Sequence, residues 1–234
     1  MDKKKEGRGR AILRLENVWR TYNMGEIEVV ALRDVSCTIN EGDFVAITGP
    51  SGSGKSTMMN LVGCLDLPTR GTIYLDGKDI AVLEESSLAQ IRGKKIGFIF
   101  QQFNLIPTLT ALENVMLPLE LQDVSPGTAR RRATALLELV GLNDRMHHLP
   151  NQLSGGQQQR VAIARSLGND PEVILADEPT GNLDTRSGSS VIEVLENLWR
   201  KDGKTVIMVT HDPNLAKHAH RRIELRDGEI VHGG

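Results

Sequence analysis

Eight consecutive residues, Gly49-Pro50-Ser51-Gly52-Ser53-Gly54-Lys55-Ser56, satisfy the pattern G-x-x-x-x-G-K-[ST]. Glycines in these places let the backbone curl so that successive N–H groups point inward at phosphate oxygens, and a following helix adds the positive end of its dipole. Lys55 would then meet the β- and γ-phosphates, Ser56 would offer its hydroxyl to Mg²⁺, and Thr57 would lie near the α-phosphate. A Gly/Ser surface turn can match the same pattern, so context decides. Residues 44–48 form a short β-rich apolar run and residues 58–62 continue as a helix, which is the strand, loop and helix order that phosphate binding requires.

A second chemical constellation is the apolar run 173–176 that ends in Asp177 and Glu178. A buried strand ending in two carboxylates places them at the carboxyl edge of a parallel sheet, where α/β folds bind ligands. Asp177 is expected to hold Mg²⁺ through water. Glu178 is the candidate to polarise the water that attacks the γ-phosphate, since one carboxylate cannot easily be both engaged with a metal and free as a base. His211 ends another buried run, residues 205–210. From the same edge, a neutral imidazole there would contact the γ-phosphate and hold Glu178 and water in line.

Leu153-Ser154-Gly155-Gly156-Gln157 opens a helical stretch reaching Arg165. Ser154 is a good N-cap, and the two glycines are read as exposing N–H groups, so this is a second anion-binding helix start. One nucleotide has little use for two such sites in one small domain. Two chains packed head to tail about a two-fold axis would put the phosphate loop of one against Ser154 and its glycines in the other, with two ATP molecules between them.

Length and composition bound the rest. With 234 residues and 39% apolar content the chain can bury one sizeable α/β core. A net charge of -2 gives no general reason to expect nucleic acid as a partner. No apolar run approaches the roughly 20 residues needed to cross a bilayer, and the charged opening, residues 1–10, has no apolar core and reads as a solvated, mobile tail. Cys37 and Cys64 are expected to be buried, reduced thiols in a cytoplasmic protein.

The elements that must position these groups fall into three regions of a single domain spanning 1–234. Short strands are expected at 12–18, 29–39, 44–48 and 72–75. Residues 105–168 read as an almost wholly helical subdomain, with Ser125-Pro126 opening one helix, Ala129, Ala133, Leu136, Leu137 and Val140 as its apolar stripe, and Arg130 to Arg132 as its solvated face. From residue 172 strands and helices alternate, the strands reading as parallel and buried on both faces. The fold class is therefore α/β: a phosphate-loop (RecA-like) core with a mostly parallel sheet, an antiparallel β subdomain and an inserted helical subdomain. The loop after Gln101 carries Phe103, Leu105, Ile106, Leu109 and Leu112, which either fill the helical core or stay exposed for a partner.

On these motifs the chain resembles the nucleotide-binding subunits of ATP-binding cassette (ABC) transporters over essentially its whole length. The resemblance implies that Tyr22 stacks on adenine and that Gln101 is the switch residue sensing Mg²⁺ and the membrane partner. It further implies that the loop from Asn182 to Asp184 links the two sites. Gln102 follows Gln101, and the first glutamine after Phe100 matches the family position. Stretches 63–66, 97–107, 112–115 and 176–184 are similar to the branch of macrolide exporters and lipoprotein-release ATPases, with the cell-division ABC ATPase as an alternative. The implied partners are a second copy and a membrane-spanning permease that keeps the cassette on the cytoplasmic face of the membrane. A soluble, non-transport ABC ATPase is a further alternative, although such relatives generally carry two cassettes or long coiled-coil insertions, whereas a small-molecule kinase does not account for Leu153 to Gln157.

Overall fold

The computed structural model describes residues 9–25 and 27–233. Its chain order is β1 (Ala11–Met24), β2 (Ile27–Asn40), β3 (Phe44–Thr48), α1 (Lys55–Val62), β4 (Arg70–Leu75), β5 (Lys78–Asp79), α2 (Glu85–Lys95) and β6 (Ile96–Ile99). Then follow α3 (Ala111–Glu120), α4 (Pro126–Leu139), α5 (Gly155–Ser166), β7 (Val173–Asp177), α6 (Thr185–Arg200), β8 (Thr205–Val209), α7 (Pro213–Ala216), β9 (Arg221–Arg226) and β10 (Glu229–His232).

Six strands form one sheet in the order β10-β9-β3-β8-β7-β6. All its pairs are parallel except β9 with β10. Strands β3 and β8 are buried at every position and β7 at all but its last, as apolar runs without alternation require of strands covered on both faces. The carboxyl ends of β3, β7 and β8 lie side by side and lead into the phosphate loop, Asp177-Glu178 and Thr210-His211. A separate antiparallel sheet runs β2-β1-β4-β5. Helices α3, α4 and α5 pack on one another around Leu112, Val115, Leu137 and Val161. The expected fold class is the observed one.

Several local expectations are corrected. Strands β1 and β2 are each 14 residues long, twice the expected length for β1, because they pair along their whole extent through register shifts that absorb the polar stretch after Val18. Helix α2 and the part of β6 in the sheet were not anticipated; α2 buries only Leu88 and so carries no apolar stripe to read. Residues 105–110 are not helical. Within them Leu105 packs against the helical core, whereas Ile106 is 37% exposed, so the loop's apolar side chains are not all core. Arg130 and Arg131 are solvated, but Arg132 turns inward and donates to the carbonyl of Gly168. Of the expected tail, residues 1–8 lie outside the described residues, while Arg10 is held: its carbonyl accepts from Glu41 N–H and its guanidinium pairs with Asp76. Cys37 and Cys64 are buried free thiols, and burial pushes them up to about 11 and about 12.

Candidate ATP-binding and hydrolytic site

The phosphate loop joins β3 to α1. Gly49 (φ 151°) passes so close to β9 that a Cβ would sit 2.2 Å from the carbonyl oxygen of Leu225, and Gly54 (φ 100°) would meet the Ala31 carbonyl at 2.6 Å. Only glycine fits either place. Gly54 caps α1 without a side-chain hydrogen bond, and no acidic residue stands in the first turn, so the amides opening the helix are left for an anion. Lys55 Nζ donates to the carbonyls of Gly49 and Pro50 at 2.9 and 2.8 Å, folding the ammonium across the loop. Ser53 is 2% exposed and its hydroxyl has no partner among the described residues, an orphaned polar atom at the centre of the cradle. Pro50, Ser51, Gly52 and Ser56 are exposed, with Thr57 half-buried behind them.

At the neighbouring strand ends Asp177 is half-buried, and desolvation raises its carboxyl above the ordinary value; the charge of Glu178 adds to the rise and Lys55 opposes it. Glu178 adopts φ 42°, a left-handed conformation rarely taken by a non-glycine residue. Glu178 Oε1 accepts from the backbone N–H of His211 at 2.8 Å and lies 2.6 Å from Nδ1, and Oε2 accepts from the Thr210 hydroxyl at 3.2 Å. A carboxylate can only accept, so Nδ1 carries the proton and Nε2 faces outward. The structure brings His211, expected to act beside Glu178, into direct contact with it.

Gln101 contacts the segment after Glu178. Its carbonyl accepts from Asn182 Nδ2 at 3.0 Å, and its side chain lies so near Gly181 that a Cβ there would come 2.7 Å from Nε2. Ser154 caps α5 in a reciprocal capping box with Gln157: Gln157 N–H donates to Ser154 Oγ at 3.3 Å and Ser154 N–H to Gln157 Oε1 at 2.9 Å. Gly155 is half-buried and Gly156 buried, which corrects the reading that both glycines serve only to expose N–H groups. A Cβ on Gly156 would be 2.8 Å from Ser187 Cβ on α6, so close helix packing explains this glycine. Asp184 caps α6 through Ser187 N–H at 3.0 Å, and hydrogen bonds from the side chain and amide of Ser187 hold its carboxyl below the usual range.

Tyr22 is half-buried on β1, where Oη donates to Asp66 at 2.9 Å and the Arg20 guanidinium lies 4.6 Å from the ring centroid. One face of the ring is therefore taken by Arg20, and a stacking base would use the other. Sequence reasoning missed Asn114 and Gln159, both fully buried polar residues that bind backbone carbonyls around Gln101 and the loop that follows it. Both lie within stretches singled out above, 112–115 and 153–165, yet neither was read for a role of its own; a polar residue inside an apolar helical stripe was the available signal.

Comparison with known proteins agrees with this geometry. The family model described as ABC transporter matches residues 32–181. An uncharacterised ABC transporter ATP-binding protein of Thermotoga maritima is 52% identical over 219 residues, covering 94% of this chain and 93% of that protein. The macrolide export ATP-binding/permease protein MacB of Escherichia coli is 53% identical over 220 residues, but the chain spans only 34% of its length. Among solved structures, the ATP-binding cassette MJ0796, a dimer in a post-hydrolysis state bound to ADP and Pi, superposes with a TM-score of 0.87 at 52% identity, covering 95% of this chain and 97% of that one. A phosphate loop, a carboxylate pair and a capped Ser-Gly-Gly helix on this fold, together with relatives this near, leave one assignment: the chain belongs to the ABC transporter family, as one of its ATP-hydrolysing cassettes.

Proposed function

We propose that the chain is the motor subunit of a membrane complex. Two copies close head to tail around two ATP molecules, and hydrolysis reopens them. The observation that carries this reading is Glu178, a carboxylate at the sheet edge beside the phosphate loop and held by His211 and Thr210. Residues 49–57 hold the phosphates, and Tyr22 contacts adenine with the ring face that Arg20 leaves free. Glu178 takes the proton of the attacking water while His211 orients it and presents Nε2 to the γ-phosphate. Ser154, Gly155, Gly156 and Gln157 receive the γ-phosphate of the other copy's nucleotide, and Asp184 lies on the loop linking the sites.

The donors available to Mg²⁺ are oxygens: Ser56 hydroxyl, Gln101 amide and Asp177 carboxylate. That set suits the ion. Among the described residues there is no group of three or more His, Cys, Asp or Glu able to hold a metal, so an ion here would take its other ligands from phosphate and water, which Mg²⁺ favours. Bound there, it would neutralise charge developing on the phosphates.

No helix among the described residues is long and apolar enough to cross a membrane. In the proposed reading the cassette works through a membrane-spanning permease, lies peripherally on the cytoplasmic face and does not act on nucleic acid. Fusion of a similar cassette to a permease in MacB supports such a partner, and export or lipoprotein release is the branch favoured.

Glu178→Gln tests the reading. The amide keeps the shape and the bonds from His211 but cannot take a proton, so turnover should fall by ~10²-fold or more while ATP binding survives. Light scattering should then find the variant trapped as a dimer in ATP. A variant that stays monomeric at saturating ATP refutes the closed pair.

A further inference from the structure

Gln159 lies on α5, one turn beyond the Ser154 capping box, and is fully buried. Its Nε2 donates to the carbonyl of Pro179 at 2.7 Å and to that of Phe100 at 3.3 Å. Both atoms it faces are carbonyl oxygens, so only the NH₂ end can meet them and the orientation of the amide follows from chemistry. The other end, Oε1, is buried with no partner among the described residues. The orphaned carbonyl costs stability, but the two bonds from Nε2 offset it by satisfying the carbonyls of Phe100 and Pro179, which a methionine would leave without this donor. Burial on α5 does not by itself explain the glutamine.

Its two acceptors do. Phe100 immediately precedes Gln101, and Pro179 immediately follows Glu178. From the far end of the same helix, Arg165 donates to the carbonyls of Phe103, at 2.9 Å, and Asn104. Helix α5 thus grips the Gln101 segment on both flanks, and through Gln159 it also hydrogen-bonds the segment carrying Glu178, which Asn182 joins to Gln101 directly. The N-terminus of this helix is Ser154-Gly155-Gly156, the part that meets the other copy's nucleotide.

We propose that Gln159 is a positioning residue: it ties the helix that senses the partner's ATP to Gln101 and Glu178 of its own chain, so that docking of one site sets the geometry of the other. The inference rests on the two-copy reading above.

The test compares the unaltered chain with Gln159→Met in four measurements: melting temperature, ATP affinity of the dilute monomer, size in a non-hydrolysable ATP analogue, and turnover against ATP concentration. Losing the donor to two buried carbonyls should lower the variant's melting temperature by several degrees, but below that temperature it should bind ATP within about twofold of the parent and still dimerise. Its kcat should fall by about tenfold to 10²-fold, as displacement remote from the chemistry does, and its Hill coefficient should drop towards one. A folded, dimerising variant with kcat and Hill coefficient like the parent's overturns the inference and leaves the two-copy reading intact. If the unaltered chain itself forms no dimer, that reading fails and this inference with it. Should Gln159→Met not fold, hydrogen exchange on the unaltered chain decides. Raising protein concentration at saturating analogue must protect the amides of residues 100–102 and 178–181 together with those of 154–159, and protection of the last group alone overturns the proposal.

Discussion

His211 supports Glu178 twice, from its backbone N–H and from Nδ1, whereas Lys55 bonds the carbonyls of its own loop. Their deletions should therefore differ in kind. His211→Ala keeps the backbone N–H and the Thr210 hydroxyl on Glu178, so ATP binding should persist while turnover drops by roughly 10–10²-fold. Lys55→Ala removes both the cation aimed at the phosphates and the strap across the loop, and should abolish nucleotide binding. Titration with a fluorescent ATP analogue separates the two outcomes, and equal loss of affinity would overturn the role given to His211.

Asp177 makes a prediction of opposite sign. Its folded carboxyl is raised, first by burial and then by Glu178. The folded state therefore binds its proton more tightly than the unfolded chain. That contribution to stability is fully present below the ordinary value of 3.8 and is lost as pH rises through the folded value. At neutral pH, the nucleotide-free chain thus carries a destabilising buried charge. Asp177→Asn should raise its melting temperature at pH 7, the gain vanishing on acidification towards 3.8, while ATPase activity is lost. A melting temperature at pH 7 equal to or below the parent's would count against this account.

At the scale of elements, what could be read from the sequence was what a short stretch decides by itself. The phosphate loop, the strands β3, β7 and β8, and the Ser154 cap each follow from contiguous residues and their periodicity. The polar end of β1 could not be read that way, because it stays extended only through pairing with β2, and α2 lacks a buried face. Asn114 was invisible for a similar reason. Its function is to meet a loop eight residues away: Oδ1 accepts from Ile106 N–H at 2.8 Å, and Nδ2 donates to the carbonyls of Ile106, Leu109 and Thr110 at 3.2, 3.0 and 3.0 Å. One buried amide thus replaces the hydrogen bonds that residues 106–110 lack as a non-helical segment. Asn114→Ala would orphan several of those groups, at a cost of about 2–4 kcal/mol. For a chain of this size that corresponds to a melting temperature lower by on the order of 5–15 °C. Calorimetry showing no change would mean that the loop holds itself.

At the scale of the molecule, the switch role proposed for Gln101 requires that force leave through a surface joined to it. Beside it runs a cleft of about 400 Å³ lined by Phe98, Phe100, Asn104, Leu117, Leu121 and Arg165. Phe98 and Phe100 stack there with centroids 5.6 Å apart, and Leu121 is 74% exposed. Exposed apolar side chains around a cleft mark a partner site, and an amphipathic helix of the permease is a suitable occupant. Because Phe100 adjoins Gln101 and Arg165 holds the carbonyls of Phe103 and Asn104, a shift of Gln101 on loss of the γ-phosphate would alter the walls of this cleft. By reciprocity, the occupant would bias the nucleotide state in return. Leu121→Ser should leave the isolated cassette's melting temperature and ATPase activity near the parent's, since that side chain already meets water. It should nonetheless prevent co-purification with the permease. Leu105→Ser serves as the contrast: Leu105 packs against the helical core, so that variant should melt several degrees lower. If Leu121→Ser instead loses stability like Leu105→Ser, or still binds the permease fully, the cleft is not where force leaves the cassette.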